Sequence, residues 1–395
     1  MLEYDVAIVG GGPIGGHIAR NIAEKKFKVA IFEKNKEIGR PINCAGLITP
    51  RVFEYFGISQ KSIIQNKVKG ANIHSPSGKI LSIGGGRVHA LVIDRSKFDR
   101  EIITQAEGKG ADLFLENNIL SAQKTNKNIE LKTSKDKDIQ CKLLIGADGP
   151  YSKIRDRFAL PEPTEFLRGI GAELTNADLD PNFVEIFIGN NIAPGFFAWI
   201  IPTNKEGSSA RVGLCISQEA TNSPKHYFSN LFTSKYSAPY IKEANIERHI
   251  GGIIPLGFLK KTYAANVMIV GDAAAQVKPT SGGGIYTGLL SANHCSSIAV
   301  DALQKNNFSI QQLKKYQKLW SADLGRELFI GMKFRKIYKH LTDKQIDKYI
   351  ERFQNPKIVE IITKYGDIDY PSKLVRHMLK KSPSLLKLLP KAFRD

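Results

Sequence analysis

The first 33 residues, MLEYDVAIVGGGPIGGHIARNIAEKKFKVAIFE, constrain the fold more than any other stretch of the chain. Asp5–Val9 is a short apolar run of strand type, and Gly10-Gly11-Gly12-Pro13-Ile14-Gly15 follows it with GxGxxG spacing. Ile14–Lys25 carries helix formers, Lys28–Phe32 reads as a second buried strand, and Glu33 stands 23 residues after Gly10. This is a βαβ unit with the dinucleotide fingerprint. Gly10 permits the tight turn, Gly12 lets backbone approach a pyrophosphate, and Gly15 lets the helix pack on the strand. The helix N-terminus offers unpaired N–H groups and partial positive charge to phosphates, and Glu33 can accept hydrogen bonds from ribose hydroxyls.

A chain of 395 residues can bury large cores and is expected to form two or three domains. No apolar run approaches the ~20 residues of a spanning helix. Glu3 and Asp5 precede the first apolar run, unlike a signal peptide, so a cytoplasmic location is expected. Cys44, Cys141, Cys215 and Cys295 are far apart and form no CxxC pair, which argues against zinc or an iron–sulfur cluster and for free thiols. The net charge of +19 is uneven: residues 331–395 hold 16 Lys and Arg against 7 Asp and Glu. Such a field suits an anionic partner, such as acidic lipid or a phosphorylated substrate, although a Lys-rich composition throughout the chain is the plainer reading. Arg-rich nucleic-acid motifs, Walker loops and metal signatures are absent, and no nucleic-acid partner is expected. The scattered histidines have no triad-like company.

Farther along, Thr49–Tyr55 reads as helix, and Lys67–His74 with Lys79–Ile83 as a hairpin around Ser75-Pro76-Ser77-Gly78. Leu91–Ile93 leads into a helix from Asp94 to about Gly108. Asp112–Leu115, Ile119–Lys124, Ile129–Thr133 and Leu143–Ile145 read as strands. Between Gly169 and Ile254 the pattern is β-rich, with Ile170–Leu174, Phe183–Ile188, Phe196–Ile201 and Ala210–Ile216 as strands and a helix over 223–232, suggesting an antiparallel substrate sheet. Val267–Val270 is again a buried strand, a long helix begins near Ile285, and the chain beyond Asn306 is helical and amphipathic.

Three glycine-bearing turns, Gly10–Gly15, Gly146–Arg155 (GADGPYSKIR) and Gly271–Ile285 (GDAAAQVKPTSGGGI), each follow an expected strand. Ligands bind beyond the carboxyl ends of parallel strands, so all three can meet at one crevice of a discontinuous domain. Together they resemble the p-hydroxybenzoate hydroxylase-like group of FAD proteins. Gly39-Arg40 followed by Cys44-Ala45-Gly46, and Phe197-Ala198-Trp199-Ile200-Ile201-Pro202, are similar to the cysteine loop and the YxWxFP-like strand of the geranylgeranyl reductase family. Phe197 and Ile201 replace the Tyr and second Phe of that strand, and Leu47 stands where relatives more often have Gly.

The resemblance implies a fold class and a division of the chain. The fold is α/β: a discontinuous Rossmann-like FAD-binding domain (1–66, 87–160 and 255–305), an inserted antiparallel β-sheet substrate domain (67–86 and 161–254), and a helical C-terminal region (306–395). It also implies roles. Gly10, Gly12, Ile14, Gly15 and Glu33 hold the AMP half of FAD, with Ile119 at the adenine. Arg95, in an RxxFD run, reaches the phosphate or ribityl region, unless it makes a surface ion pair. Asp148 orders the adjoining loop, and Asp272 bonds the ribityl chain. Gly284 and Ile285 present N–H groups to the flavin, where the positive end of the helix favours charge arriving on reduction. Cys44 is the candidate catalytic residue beside the ring, with Ala45 and Leu47; the alternative is an inert small residue. Alternation puts Phe197, Trp199 and Ile201 on one face, either core or the lining of an isoprenoid tunnel.

Two activities fit this resemblance. One is FAD-dependent saturation of C=C bonds in geranylgeranyl chains of archaeal-type phospholipid precursors, with NADPH or a ferredoxin-type reductant as donor and an anionic membrane surface as partner. The other is a flavin monooxygenase or halogenase on the same scaffold. The basic C-terminus, including Leu385-Leu386-Lys387-Leu388-Leu389, suits peripheral docking on the inner face of the membrane, or else forms an ordinary packing helix.

Overall fold

The first sheet grows from the apolar runs noted above. The computed structural model describes residues 1–60, 62–135, 138–374 and 377. Tyr263–Ala264, Val267–Ile269, Asp138–Gly146, Leu2–Val9, Val29–Phe32 and Asp112–Phe114 lie side by side in that order. From Val267–Ile269 to Asp112–Phe114 every pairing is parallel. Strands covered on both faces need continuous apolar runs, which is why Val6, Ala7, Ile8, Ala30 and Ile31 are fully buried. One face carries Ile18, Ile22, Ile103, Ala292 and Ala299 from the helices Pro13–Ala23, Arg95–Gly108 and Ile285–Gln304. The other is covered by the antiparallel flap Ile119–Lys124 and Ile129–Thr133, through Ile119, Ile129 and Leu131.

A second, seven-stranded sheet runs Asn245–Leu256, Glu165–Thr175, Ser209–Ser217, Phe197–Pro202, Phe183–Ile188, Gly70–His74, Ile80–Gly84. Its outer face packs on the helices Pro224–Leu231 and Ala238–Ile241 through Phe187, Ala198, Ile200, Tyr227 and Phe228. Its inner face turns Val184, Ile186, Trp199 and Ile201 toward Ala45 and Leu47.

Four features depart from the sequence reading. The sheet is not wholly antiparallel, because Phe183–Ile188 pairs in parallel with Gly70–His74. Asn245–Leu256 is a further strand at the sheet edge; its first half is polar and Gly251-Gly252 interrupt it, so only Ile253–Leu256 is apolar. The run Lys67–His74 is two strands, since the chain changes sheets at Lys69. Ile64–Val68 joins a small three-stranded sheet with Ala90–Ile93 and Leu47–Ile48. Both Lys69 and Gly70 N–H groups donate to the Asn182 carbonyl there, and a Cβ on Gly70 would lie 2.3 Å from the Phe183 ring. Finally, the helices after residue 306 are interrupted by a π-helical turn, Ser321–Gly325.

The C-terminal helices Ile310–Trp320, Arg326–Tyr338, Asp343–Phe353 and Pro356–Tyr365 are docked on both sheets. Tyr316 and Trp320 are fully buried in the core of the first sheet. Arg335 reaches the second sheet, donating to Glu165 at 2.8 and 2.6 Å and to the Gly195 carbonyl at 2.7 Å. Leu385-Leu386-Lys387-Leu388-Leu389 lies outside the described residues. Among those described, no helix is long and apolar enough to cross a membrane.

Removing one partner of a buried, bidentate ion pair leaves the other charge uncompensated. Arg335→Ala should therefore lose about 3–5 kcal/mol of stability in urea unfolding, and Arg335→Lys should recover only part of it, because an ammonium cannot fork across both oxygens.

Candidate active site

Each of the three glycine turns leaves the carboxyl end of a parallel strand, and contacts of the closest kind join them. Gly10 has φ +110°, and a Cβ there would lie 2.2 Å from the Ala147 carbonyl oxygen, so the first turn rests on the second. A Cβ at Gly15 would lie 2.0 Å from the Gly10 carbonyl oxygen, which fixes the helix on the strand. Ile14 lies between Gly271 and Gly288, where added Cβ atoms would meet it at 3.2 and 2.6 Å, so the first turn also rests on the third. Arg155 donates to the Ala273 carbonyl at 3.4 Å and ties the second turn to the third.

Around Gly12 a Cβ would meet nothing within 4 Å, and no side chain caps the helix that starts there. Its first N–H groups are available to an anion. Glu33 accepts from the N–H groups of Gly11 at 2.8 Å and Asn35 at 2.9 Å, one on each oxygen, leaving further lone pairs on both. Asn117 N–H donates to the Glu33 carbonyl at 2.8 Å, bringing the start of the Ile119 strand alongside; Ile119 itself is buried in the flap. Asp148 accepts from Ser152 Oγ at 2.6 Å and from Ile154 N–H at 3.2 Å, so it braces its own loop; burial raises its pKa, and those bonds work against the rise.

Asp94 caps the helix whose first residue is Arg95. Arg95 forks onto Asp99 with three contacts of 3.0 to 3.2 Å. Its side chain is 14% exposed, so this is an interior pair rather than a surface one. Burial disfavours the guanidinium, but the Asp99 carboxylate outweighs it and holds its pKa above the ordinary value. Asp272 lies within the field of Arg95, yet no donor among the described residues bonds its carboxylate; burial pushes its pKa up to about 6. A Cβ at Gly284 would come within 3.0 Å of the same carboxylate. Gly284 precedes Ile285, and no side chain caps the helix Ile285–Gln304 either.

Cys141, Cys215 and Cys295 are buried with thiol pKa values raised by that burial, whereas Cys44 is half-buried. Gly46 N–H donates to Cys44 Sγ at 3.3 Å, and Gly46 has φ +69°. The sequence reading missed what holds this loop. Arg211, 3% exposed in the second sheet, donates to the carbonyls of Ala45 at 3.1 Å and Ile93 at 2.9 Å. The available signal was a lone arginine inside the apolar run Ala210–Ile216. Phe197, Trp199 and Ile201 do share a face: Ile201 and Trp199 pack toward Ala45 and Leu47, and Phe197 and Trp199 toward Val277. That strand is an apolar wall from the cysteine loop to the third turn. Among the described residues no group of three or more His, Cys, Asp or Glu could hold a metal ion.

Two uncapped helix N-termini, an open glycine, a carboxylate with spare lone pairs and a half-buried one that no described donor bonds define a dinucleotide site of the flavoprotein oxidoreductase class. The comparisons agree. The model of the FAD binding domain family matches residues 3–300. An uncharacterised protein of Methanocaldococcus jannaschii is 32% identical, covering 96% of this chain and 95% of its own. The digeranylgeranylglycerophospholipid reductase of the same organism is 30% identical, covering 97% of each chain. The crystal structure of a geranylgeranyl bacteriochlorophyll reductase-like protein from Thermoplasma acidophilum superposes with a TM-score of 0.87 at 25% identity, over 99% of this chain and 100% of that one. The chain belongs to the FAD-binding domain family and, within it, to the geranylgeranyl reductases.

The half-buried Asp272 carboxylate predicts a pH signature. Its pKa is about 6 folded against 3.8 unfolded, so the unfolded chain loses that proton first and stability falls as pH rises between those values. Thermal denaturation of apo Asp272→Asn should show higher stability than wild type above pH 6, with the gap closing toward pH 4. FAD titration of the same variant should show about tenfold weaker binding, the loss of one charge-assisted hydrogen bond.

A second pair of variants separates packing from binding. Gly15→Ala should cost about 3 kcal/mol of apo stability through overlap with the Gly10 carbonyl. Gly12→Ala should leave urea unfolding of the apo-protein unchanged while FAD titration shows weakened binding.

Proposed function

We propose that this protein reduces C=C bonds in the geranylgeranyl chains of archaeal-type phospholipid precursors with FAD as cofactor. The observation that supports it best is the convergence of the three turns with a cysteine loop and an apolar wall. Residues 1–66, 87–160 and 255–305 form the cofactor-binding part, and 67–86 with 161–254 the substrate part. Gly10, Gly12, Ile14, Gly15 and Glu33 hold the AMP half, with Ile119 beside the adenine and Asp148 bracing the adjoining loop. Arg95 and Asp272 serve the ribityl and phosphate region. Gly284 and Ile285 present the positive end of a 20-residue helix to the ring.

An isolated trisubstituted alkene has no carbonyl to absorb charge, so its reduction needs hydride at one carbon, a proton at the other, and a dry site. FAD supplies the hydride when reduced. Cys44 Sγ holds the proton, in a loop held by Arg211 through the Ala45 carbonyl. Phe197, Trp199 and Ile201 line the path of the chain and exclude water. Moving a C20 chain from bilayer to protein gains little hydrophobic energy, so charge must set docking, and each Lys or Arg near an anionic leaflet adds about 1 kcal/mol. The excess of 16 basic over 7 acidic residues after residue 330 suits that surface, and electrons come from NADPH or a ferredoxin-type carrier.

Anaerobic incubation of the dithionite-reduced holoprotein with digeranylgeranylglycerol phospholipid should yield products heavier by pairs of hydrogens in mass spectrometry. Cys44→Ser should lower the rate at least tenfold with FAD still bound, an effect of general-acid size. A requirement for O2, with oxygen or halogen inserted, would instead establish the monooxygenase or halogenase reading.

A further inference from the structure

One cluster of buried charge belongs to none of the roles above. Asp369 is 1% exposed, and its carboxylate takes three donors from two remote parts of the chain. Lys278 Nζ donates at 2.7 Å, Thr49 Oγ1 at 2.7 Å and Arg51 Nη1 at 3.1 Å. Asp367 takes the rest of the Arg51 fork at 2.8 and 2.9 Å, and the hydroxyls of Tyr370 and Tyr286 meet at 2.9 Å. Thr49 and Arg51 follow the Cys44 loop directly, whereas Lys278 sits inside the turn between Asp272 and Gly284. A single segment near residue 369 therefore clasps both loops that frame the ring end of the site.

The position of Lys278 gives the clasp an electrostatic role. Its side chain is 8% exposed, and its backbone closes the turn, with Lys278 N–H to the Gly283 carbonyl at 3.2 Å and Gly282 N–H to the Lys278 carbonyl at 2.9 Å. A Cβ on Gly283 would meet Lys278 Nζ at 3.2 Å, and one on Gly284 would meet Asp272 Oδ1 at 3.0 Å. The ammonium and the Asp272 carboxylate thus flank the same glycine pair at the start of the helix Ile285–Gln304. An ammonium buried without a partner is costly, and Asp369 is its ion-pair partner here.

We propose that Asp369 is a positioning residue for the ring end of the cofactor site: it fixes the Cys44 loop against the glycine turn and neutralises Lys278 beneath that turn. This rests on the FAD site described above, and not on the identity of the lipid. An unmasked Lys278 favours electron uptake nearby, and an unmasked Asp369 opposes it.

The test is the midpoint potential of the bound flavin in the full chain, read by reductive titration against indicator dyes, with visible circular dichroism of the flavin bands as a geometric readout. Asp369→Asn should move the potential positive, Lys278→Met should move it negative, and the double variant should return toward wild type. The circular dichroism should change in both single variants. FAD affinity should stay within about threefold, because the Gly10–Gly15 and Glu33 determinants share no partner with the pair. Lys278→Met leaves Thr49 and Arg51 on Asp369, so it keeps the test open should Asp369→Asn fold poorly. Unchanged potential and dichroism in the single variants, or shifts of the same sign in both, would overturn the proposal. Wild-type protein that takes up no FAD would sink the cofactor reading instead, before any variant is made.

Discussion

The site depends on backbone lying directly against backbone where the first strand ends. Gly10, at φ +110°, leaves no room for a side chain against the Ala147 carbonyl, and Gly15 leaves none against the Gly10 carbonyl. With Ile14 lodged between Gly271 and Gly288, these contacts bring three turns separated by more than a hundred residues each to one edge of the sheet. A methyl group at either glycine would hold the turns apart and open the cradle. Close packing of this kind is bistable rather than compliant, so small additions are felt across the whole edge.

Around that edge the protein buries charge and compensates it locally. Arg95 is neutralised by Asp99, Arg335 by Glu165, and Lys278 by Asp369, each at 3.0 Å or less. Asp272 is the exception. It is half-buried, takes no hydrogen bond from a described donor, and its pKa rises.

Arg211 shows how the two sheets act together. It belongs to the second sheet, yet its guanidinium holds the carbonyls of Ala45 and Ile93, next to the cysteine loop. Glu173 and Gln65 hold it in turn, at 3.2 and 2.7 Å. Trp199 and Ile201 of the apolar wall pack beside the same loop, so both halves of the molecule border it.

Local pattern was enough for the βαβ start, the strand positions and the three glycine turns, because buried parallel strands need unbroken apolar runs and tight turns need glycine. Glu33, Asp148 and Asp272 each stand just past a strand in the sequence, where spacing marks them as candidates. Pattern failed where the signal is nonlocal. The edge strand Asn245–Leu256 is polar through its first half and broken by Gly251-Gly252, the sheet change at Lys69 depends on Asn182, and the parallel pairing of Gly70–His74 depends on which strand lies beside it. The sequence by itself determined a dinucleotide-binding α/β chain, since that follows from residues within one turn of each other. Only the tertiary structure decided that Arg95 faces Asp99 in the interior, that Arg211 holds the cysteine loop, and that Asp369 reaches Lys278. Those pairings join residues far apart in the chain, and burial, which sets their energy, exists only once the chain has folded.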